Sequence, residues 1–334
     1  MLTAAFNYQL PPAQIAQNPA KPRDSAKLLV YTRKTQQITE GIFRNLPKLL
    51  QPGDVLVLNE TKVIPARLKT LAGHEVFLVT PLKPKTWRCL VRGGKHFLAG
   101  QEFTITKNLT GKVQTVLPSG ERVITFHTPN FTQALNQAGE IPLPPYIEAA
   151  ASKAKKYQTI FAKKPGSVAA PTAGLHFTPR VFRALAQQGI QIAKVNLTIG
   201  PGTFKPVKAK ELEDHKMHAE AFELNLATAR FLNQAKKNGQ RIIAVGSTSC
   251  RVLESATQAN GYLKPQKNQT AIFIYPGYQF KFIDGMLTNF HLPCSTLIML
   301  VAAFLGRPKT LELYNFAVAK NYRFYSFGDA MLLL

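Results

Sequence analysis

The sequence predicts a mixed α/β protein that carries a smaller β-rich insertion, and three observations point there. After about residue 150, strand-like and helix-like segments alternate, whereas the stretch from Lys62 to Ile147 reads as one strand after another. That stretch closes in a proline cluster, IPLPPY. Twenty-three prolines and 21 glycines in 334 residues suit many short elements better than a helical bundle. Length favours two units, so residues 1–61 with 149–334 are expected to form the main domain and residues 62–148 the insertion.

Along the chain, KLLVYTR reads as the first strand and GDVLVLNE as another after the Pro52-Gly53 turn. HEVFLVTPL, TWRCLVRG, EFTITK and KVQTVLPSGERVITFH supply the insertion, with Pro118-Ser119-Gly120 turning the last into a hairpin. The run PTAGLHFT (171–178) is expected to be irregular. Thr178-Pro179 then reads as an N-cap with proline at the first helical position, and that helix stops near Gly189. IQIAKVNLTI is a strand with Val195, Leu197 and Ile199 on one face. A helix from Ala227 to about Asn238 leads to the strand RIIAVG and, through Ser247-Thr248-Ser249, to a helix with Arg251 and Glu254, where Ser249 either caps the helix or helps to bind an anion. IFIYPGYQFKFI reads as strand, turn, strand. Ser295–Leu305 is a buried helix stopped at Gly306, Thr310–Lys320 an amphipathic one, and YRFYSF a closing strand.

Charge and cysteine usage narrow the function. Forty-two Lys and Arg against 18 Asp and Glu leave +24, the balance of a protein that meets nucleic acid or an anionic surface. The positives are scattered, with clusters at Lys153, Lys155, Lys156, Lys163 and Lys164 and at Lys205, Lys208 and Lys210. Such a spread suits a broad backbone-reading surface. Three isolated cysteines, 89, 250 and 294, form no CxxC pair and argue against a zinc ribbon or a disulfide framework. No signal peptide is read at the start, and the longest apolar run is too short for a bilayer, so a cytoplasmic protein without a membrane partner is expected.

Several segments carry chemistry. His176, just ahead of a helix start, sits where an anion is favoured by the dipole. GPGTFKPV (200–207) lacks dinucleotide-loop spacing; its glycines either bring backbone amides to a ligand or form a plain turn. AVGSTSCRVLES puts hydroxyls at a helix start without the lysine of a phosphate loop, and Arg251 and Glu254 are spaced to pair with each other. DHKMHAE gathers His215, His218 and Glu220, but the histidines are three apart rather than four. That spacing favours acid–base or orienting roles, and no metal is assigned. Arg23 and Arg67 suit either a carboxylate or phosphate clamp or surface ion pairs. Tyr275, Tyr278, Phe280 and Phe282 serve either to stack on a base or to fill a core.

Taken in order, YQLPPAQIAQNPAKPRDSAKLLV, GDVLVLNETKVIPARL, GEIPLPPYI, YQTIFAKKPGSVAAPTAGLHFT, GPGTFKPV, EDHKMHAE, IAVGSTSCRVLES, FIYPGYQFKFIDGMLTNFHLPCSTLIMLVAAF and YRFYSFGDAML run nearly end to end. This collinear set closely resembles the S-adenosylmethionine:tRNA ribosyltransferase-isomerases of queuosine biosynthesis, with only the insertion matching weakly. The resemblance implies a main domain with a β-barrel core flanked by helices, and a smaller β-rich domain inserted in it. It also implies ribosyl transfer from S-adenosylmethionine to a 7-aminomethyl-7-deazaguanine base at the wobble position of tRNAs with GUN anticodons. S-adenosylmethionine would be consumed as co-substrate, with no resident cofactor, and a monomer is expected.

For that chemistry His176 is the first candidate acid or base, followed by His215, His218 and Glu220. Thr172, Gly174, Gly202 and Thr203 are expected to line the S-adenosylmethionine site, and Arg23, Arg67 and Arg251 to hold its carboxylate or tRNA phosphates. Two rival readings are a non-catalytic tRNA-binding protein on the same scaffold and a metal-dependent hydrolase using His215 and His218.

Overall fold

Four apolar runs, LLVY, VLVL, IIAV and AMLL, lie in one nine-stranded sheet of the computed structural model, which describes residues 1–148, 151–204 and 207–334. Lys205 and residue 149, at an expected boundary, lie outside the described residues. The strands run in the order Gln266–Thr270, Glu220–Leu224, Gln191–Leu197, Val55–Asn59, Ile242–Val245, Gly285–Asn289, Ala330–Leu333, Lys27–Thr32 and Gln37–Ile42. The sheet is nearly closed and barrel-like, and the chain as a whole is mixed α/β.

Unbroken apolar runs fit this sheet because both of its faces are covered. Val55 and Val57 belong to one apolar cluster, with residues of the helices Leu226–Lys237, Gly246–Ala256, Thr296–Leu305 and Arg307–Ala319. Leu56 and Leu58 belong to another, with Val181 and Leu185 of the helix Pro179–Gln187. Gln191–Leu197, Val55–Asn59, Ile242–Val245 and Gly285–Asn289 are mutually parallel, so their carboxyl ends share one edge. Asn59 braces that edge, its amide oxygen accepting from Leu197 N at 3.1 Å and its nitrogen donating to Leu197 O at 3.1 Å.

A six-stranded antiparallel sheet stands apart in sequence. Its order is Arg67–Lys69, Glu75–Lys83, Thr86–Val91, Arg122–His127, Leu109–Val116 and Glu102–Thr106. Leu68, Val76, Leu78, Val113, Ile124 and Phe126 bury one face in a third apolar cluster, helped by Leu135 of the helix Phe131–Ala138.

Four local expectations need correction. PTAGLHFT holds a regular 3-10 turn over Thr172–His176. IFIYPGYQFKFI forms no strand; the Glu254 carboxylate accepts from the N–H groups of Lys281, Phe282 and Ile283 at 2.8–3.2 Å and from the Tyr278 hydroxyl at 3.0 Å. Those donors are spent on a side chain instead of a ladder, and Glu254 does not pair with Arg251. YRFYSF forms no strand either. Asp329 accepts from Arg323 N at 2.8 Å and Lys27 N at 3.0 Å, folding the segment back, and Ala330–Leu333 is the closing strand. Finally, the helix bearing Arg251 starts at Gly246, so Ser249 lies inside it and caps nothing.

Candidate active site

A cavity of about 200 Å³ opens at the carboxyl ends of the parallel strands. Ile199 follows the strand Gln191–Leu197, Gly246 to Thr248 follow Ile242–Val245, and Thr288 to Leu292 end and follow Gly285–Asn289. This is where open parallel sheets place their ligands, because strand ends and the helices that follow them converge there. Two helix starts reach the lining. Ser295 and Thr296 open the helix Thr296–Leu305, and the Ser295 side chain caps it by accepting from Ile298 N at 3.3 Å. Gly246–Ala256 has no side-chain cap, so its first-turn N–H groups are available to a ligand.

The lining holds hydroxyls, amides and aromatic rings, and its one histidine is His291. The His291 ring lies 3.0 Å from the Thr288 hydroxyl, and burial pushes its pKa down to about 3, so the ring is neutral near pH 7.

Of the residues expected at the site, Thr172 and Thr203 line this cavity. His176 does not. It is buried one side chain behind the wall, stacked on Phe43 at 4.9 Å, with Nε2 3.2 Å from Asn289 Nδ2. Burial, offset in part by Asp329, pushes His176 down to about 4. Nor does the adjacent helix dipole await a ligand. Thr178 caps that helix while donating to Asp24 at 2.8 Å, so the anion at this helix start belongs to the chain itself.

A second group gathers around the loop after Ile199. Glu220 accepts from Gly200 N at 2.8 Å and pairs with Arg251, both side chains buried, which ties the loop to the helix Gly246–Ala256. A Cβ at Gly202 would overlap the His218 ring, so the glycine makes room for the imidazole. His215 packs edge-on against Phe273 at 5.2 Å; partial burial and the neighbouring His218 lower its pKa.

The remaining candidates do other work. Arg23 donates to the carbonyls of Lys156 and Gln158 at 2.7 and 2.9 Å, fixing the segment that carries Tyr157 into the cavity wall. A Cβ at Gly174 would lie 2.7 Å from the Phe161 ring, so this glycine serves packing. Arg67 sits in the six-stranded sheet beside Glu75 at 3.4 Å. Arg251 is spent on Glu220. Among the described residues the cavity lining contains no arginine, so none of these arginines clamps a ligand there.

The family model described as queuosine biosynthesis protein matches residues 3–333. The chain belongs to this family. It is 49% identical to the S-adenosylmethionine:tRNA ribosyltransferase-isomerase of Moorella thermoacetica, over 98% of both chains. To the protein of the same name from Desulfitobacterium hafniense it is 47% identical, again over 98% of both. The crystal structure of S-adenosylmethionine tRNA ribosyltransferase from Thermotoga maritima matches it with a TM-score of 0.56 and 38% identity, covering 99% of this chain and 100% of that one.

Within this family member, sequence reasoning passed over Asn289, His291, Thr288 and Tyr157 as site residues, though all four line the cavity. TNFHLPCST carried the available signal: polar groups at the end of a short strand, followed by a capped helix.

Proposed function

We propose that the chain transfers and isomerises the ribosyl group of S-adenosylmethionine onto 7-aminomethyl-7-deazaguanine at the wobble position of a tRNA with a GUN anticodon. The products are epoxyqueuosine-tRNA, adenine and methionine. The observation that carries this reading is the cavity at the parallel strand ends, with hydroxyls, an uncapped helix start and no charged side chain among the described lining residues, in a chain of this family. The uncapped start of Gly246–Ala256 suits the methionine carboxylate, in place of an arginine. The scattered positive charge suits the tRNA backbone, and Lys155 and Lys156 are exposed next to cavity-lining Tyr157. The reading carries with it a monomer acting in the cytoplasm with no resident cofactor.

The reaction asks for a base at the acidified 5′-methylene beside the sulfonium, loss of adenine, attack by the aminomethyl nitrogen and epoxide closure with release of methionine. His291 is neutral but a weak base when buried, which suits hydrogen bonding to substrate more than proton removal. His218 is exposed and touches Gly202, next to cavity-lining Thr203, and takes the proton-transfer role in this scheme. Glu220, two residues after His218, and Arg251 hold the loop through Gly202 against which His218 packs. Holding two large substrates together supplies much of the acceleration.

Incubation with ribose-labelled S-adenosylmethionine and tRNA carrying the aminomethyl base is expected to release adenine and leave label on the tRNA. Affinity for tRNA without either product would instead mark a non-catalytic binding protein.

A further inference from the structure

Asn289 ends the strand Gly285–Asn289 at the cavity, and only 2% of its surface is exposed. Its amide meets three partners. Oδ1 lies 3.0 Å from Thr172 Oγ1, and Nδ2 lies 3.2 Å from both the Tyr325 carbonyl oxygen and His176 Nε2. A backbone carbonyl only accepts, so the end of the amide facing Tyr325 must be the NH2 group. That partner identifies which end of the amide is which, and His176 shares in holding it there.

The rest of the network follows from it. Nδ2 has two hydrogens; one goes to Tyr325, and the other goes to His176. His176 Nε2 is therefore an acceptor, and the ring proton sits on Nδ1. The imidazole is held there by burial and by its stack on Phe43, and its lowered pKa keeps it neutral. Oδ1 faces Thr172, so the Thr172 hydroxyl donates its only hydrogen inward. What it has left for the cavity is lone pairs.

We infer that His176 and Asn289 form a positioning relay that commits the Thr172 hydroxyl to accept a hydrogen bond from the bound co-substrate. This wall then selects a donor of S-adenosylmethionine, a ribose hydroxyl or an amino group, and turns away its carboxylate. The uncapped helix start of Gly246–Ala256 offers the complementary N–H donors elsewhere in the lining, so the two walls together set the direction in which the ligand lies. His176 acts through Asn289 and is a positioning residue. The identity of the ligand rests on the reaction proposed above.

The test is S-adenosylmethionine binding by calorimetry, without tRNA. Loss of one ordered hydrogen bond predicts that Thr172→Val and Asn289→Ala each weaken binding about tenfold. Because both break the same bond, the double variant is expected to be no weaker than about tenfold, rather than about a hundredfold. His176→Gln can place an amide oxygen where Nε2 accepts and is expected to keep near wild-type affinity, whereas His176→Phe falls with Asn289→Ala.

Thr172→Val keeps the side-chain shape at the cavity wall, so its folded state is checked by thermal melting before the cycle is read. Additive losses in the double variant, unchanged affinity in Thr172→Val, or equal losses in His176→Gln and His176→Phe would each overturn the relay. A wild-type protein that binds no S-adenosylmethionine overturns it as well. Binding with a non-additive cycle but no adenine release from modified tRNA sinks the reaction and leaves the relay. Adenine release with an additive cycle does the reverse.

Discussion

Four strands of the nine-stranded sheet, those with LLVY, VLVL, IIAV and AMLL, carry unbroken apolar runs buried on both faces, whereas strands of the six-stranded sheet alternate. Arg122–His127 and Leu109–Val116, for example, bury every second side chain over most of their length. The connections differ with the pairing. Parallel neighbours need crossovers, and here helices begin where Ile242–Val245 and Gly285–Asn289 end, bringing unpaired N–H groups to one edge. The antiparallel sheet turns tightly at Pro118-Ser119-Gly120 and offers no such convergence. Buried polar groups follow the same division. Thr288 and Asn289 end a strand in the cavity lining, while buried Arg122 of the smaller sheet is satisfied by the carbonyls of Phe97 and Gly94. The cavity is thus a consequence of parallel topology, and its residues should fail differently from those of the six-stranded sheet.

The largest contrast is expected between two ion pairs. Glu220 and Arg251 are both buried, so Arg251→Met leaves a buried carboxylate without its partner and should cost about 3–5 kcal/mol in urea unfolding. Arg88 and Glu121, next to the six-stranded sheet, pair at 2.8 Å with Arg88 half-exposed, so water reaches the pair. Arg88→Met should cost about 1 kcal/mol or less. Equal losses would mean that the Glu220 carboxylate finds water when Arg251 is gone, and that the loop after Ile199 is less firmly tied than its contacts indicate.

Acid should separate the two regions next. His176 and His291 are buried, with pKa values pushed down to about 4 and about 3. Both stay neutral in the folded protein while an unfolded chain takes up protons below about pH 6.5. Their contribution is present above that pH and is lost as pH falls toward 4 and 3. Between pH 7 and pH 5 the pair should remove on the order of 4 kcal/mol of stability. In the six-stranded sheet, exposed His96 stacks on His74 at 4.2 Å and its pKa is also lowered, so His96→Gln should flatten the acid profile less than His291→Gln does. The check is unfolding at both pH values for wild type and for His291→Gln, which should flatten about half of the slope.

Sequence patterning reached the elements whose signals are local. The runs VLVL and IIAV, the Thr178-Pro179 helix start and the Pro118-Ser119-Gly120 hairpin stand where their residues place them. Strands Gln37–Ile42 and Gln266–Thr270 escaped because they lie at the sheet edges and carry mostly polar, exposed residues. The site was legible in part. Thr172 and Thr203 were reachable because hydroxyls and glycines on a connecting loop favour ligand contact. Whether an imidazole faces a cavity or backs its wall depends on Asn289, 113 residues further along, and no local pattern encodes that distance. The arginines' partners are hidden from local pattern for a related reason. Glu220 for Arg251, and the carbonyls of Lys156 and Gln158 for Arg23, are remote in sequence.

The smallest expected effect isolates function from stability. Ser295 and Asn130 are both N-caps, accepting from Ile298 N at 3.3 Å and Gln133 N at 3.1 Å. Each side chain satisfies one donor at a helix start, so alanine at either position should cost about 1 kcal/mol in unfolding. Only the Ser295 helix begins in the cavity lining. If that first turn contributes to holding the co-substrate, Ser295→Ala should weaken S-adenosylmethionine binding about threefold, the scale of one modest hydrogen bond. Asn130→Ala should leave binding unchanged at the same cost in stability. Equal binding losses would show that the helix Phe131–Ala138 and the six-stranded sheet communicate with the cavity, and the separation of the two sheets would then hold for packing alone.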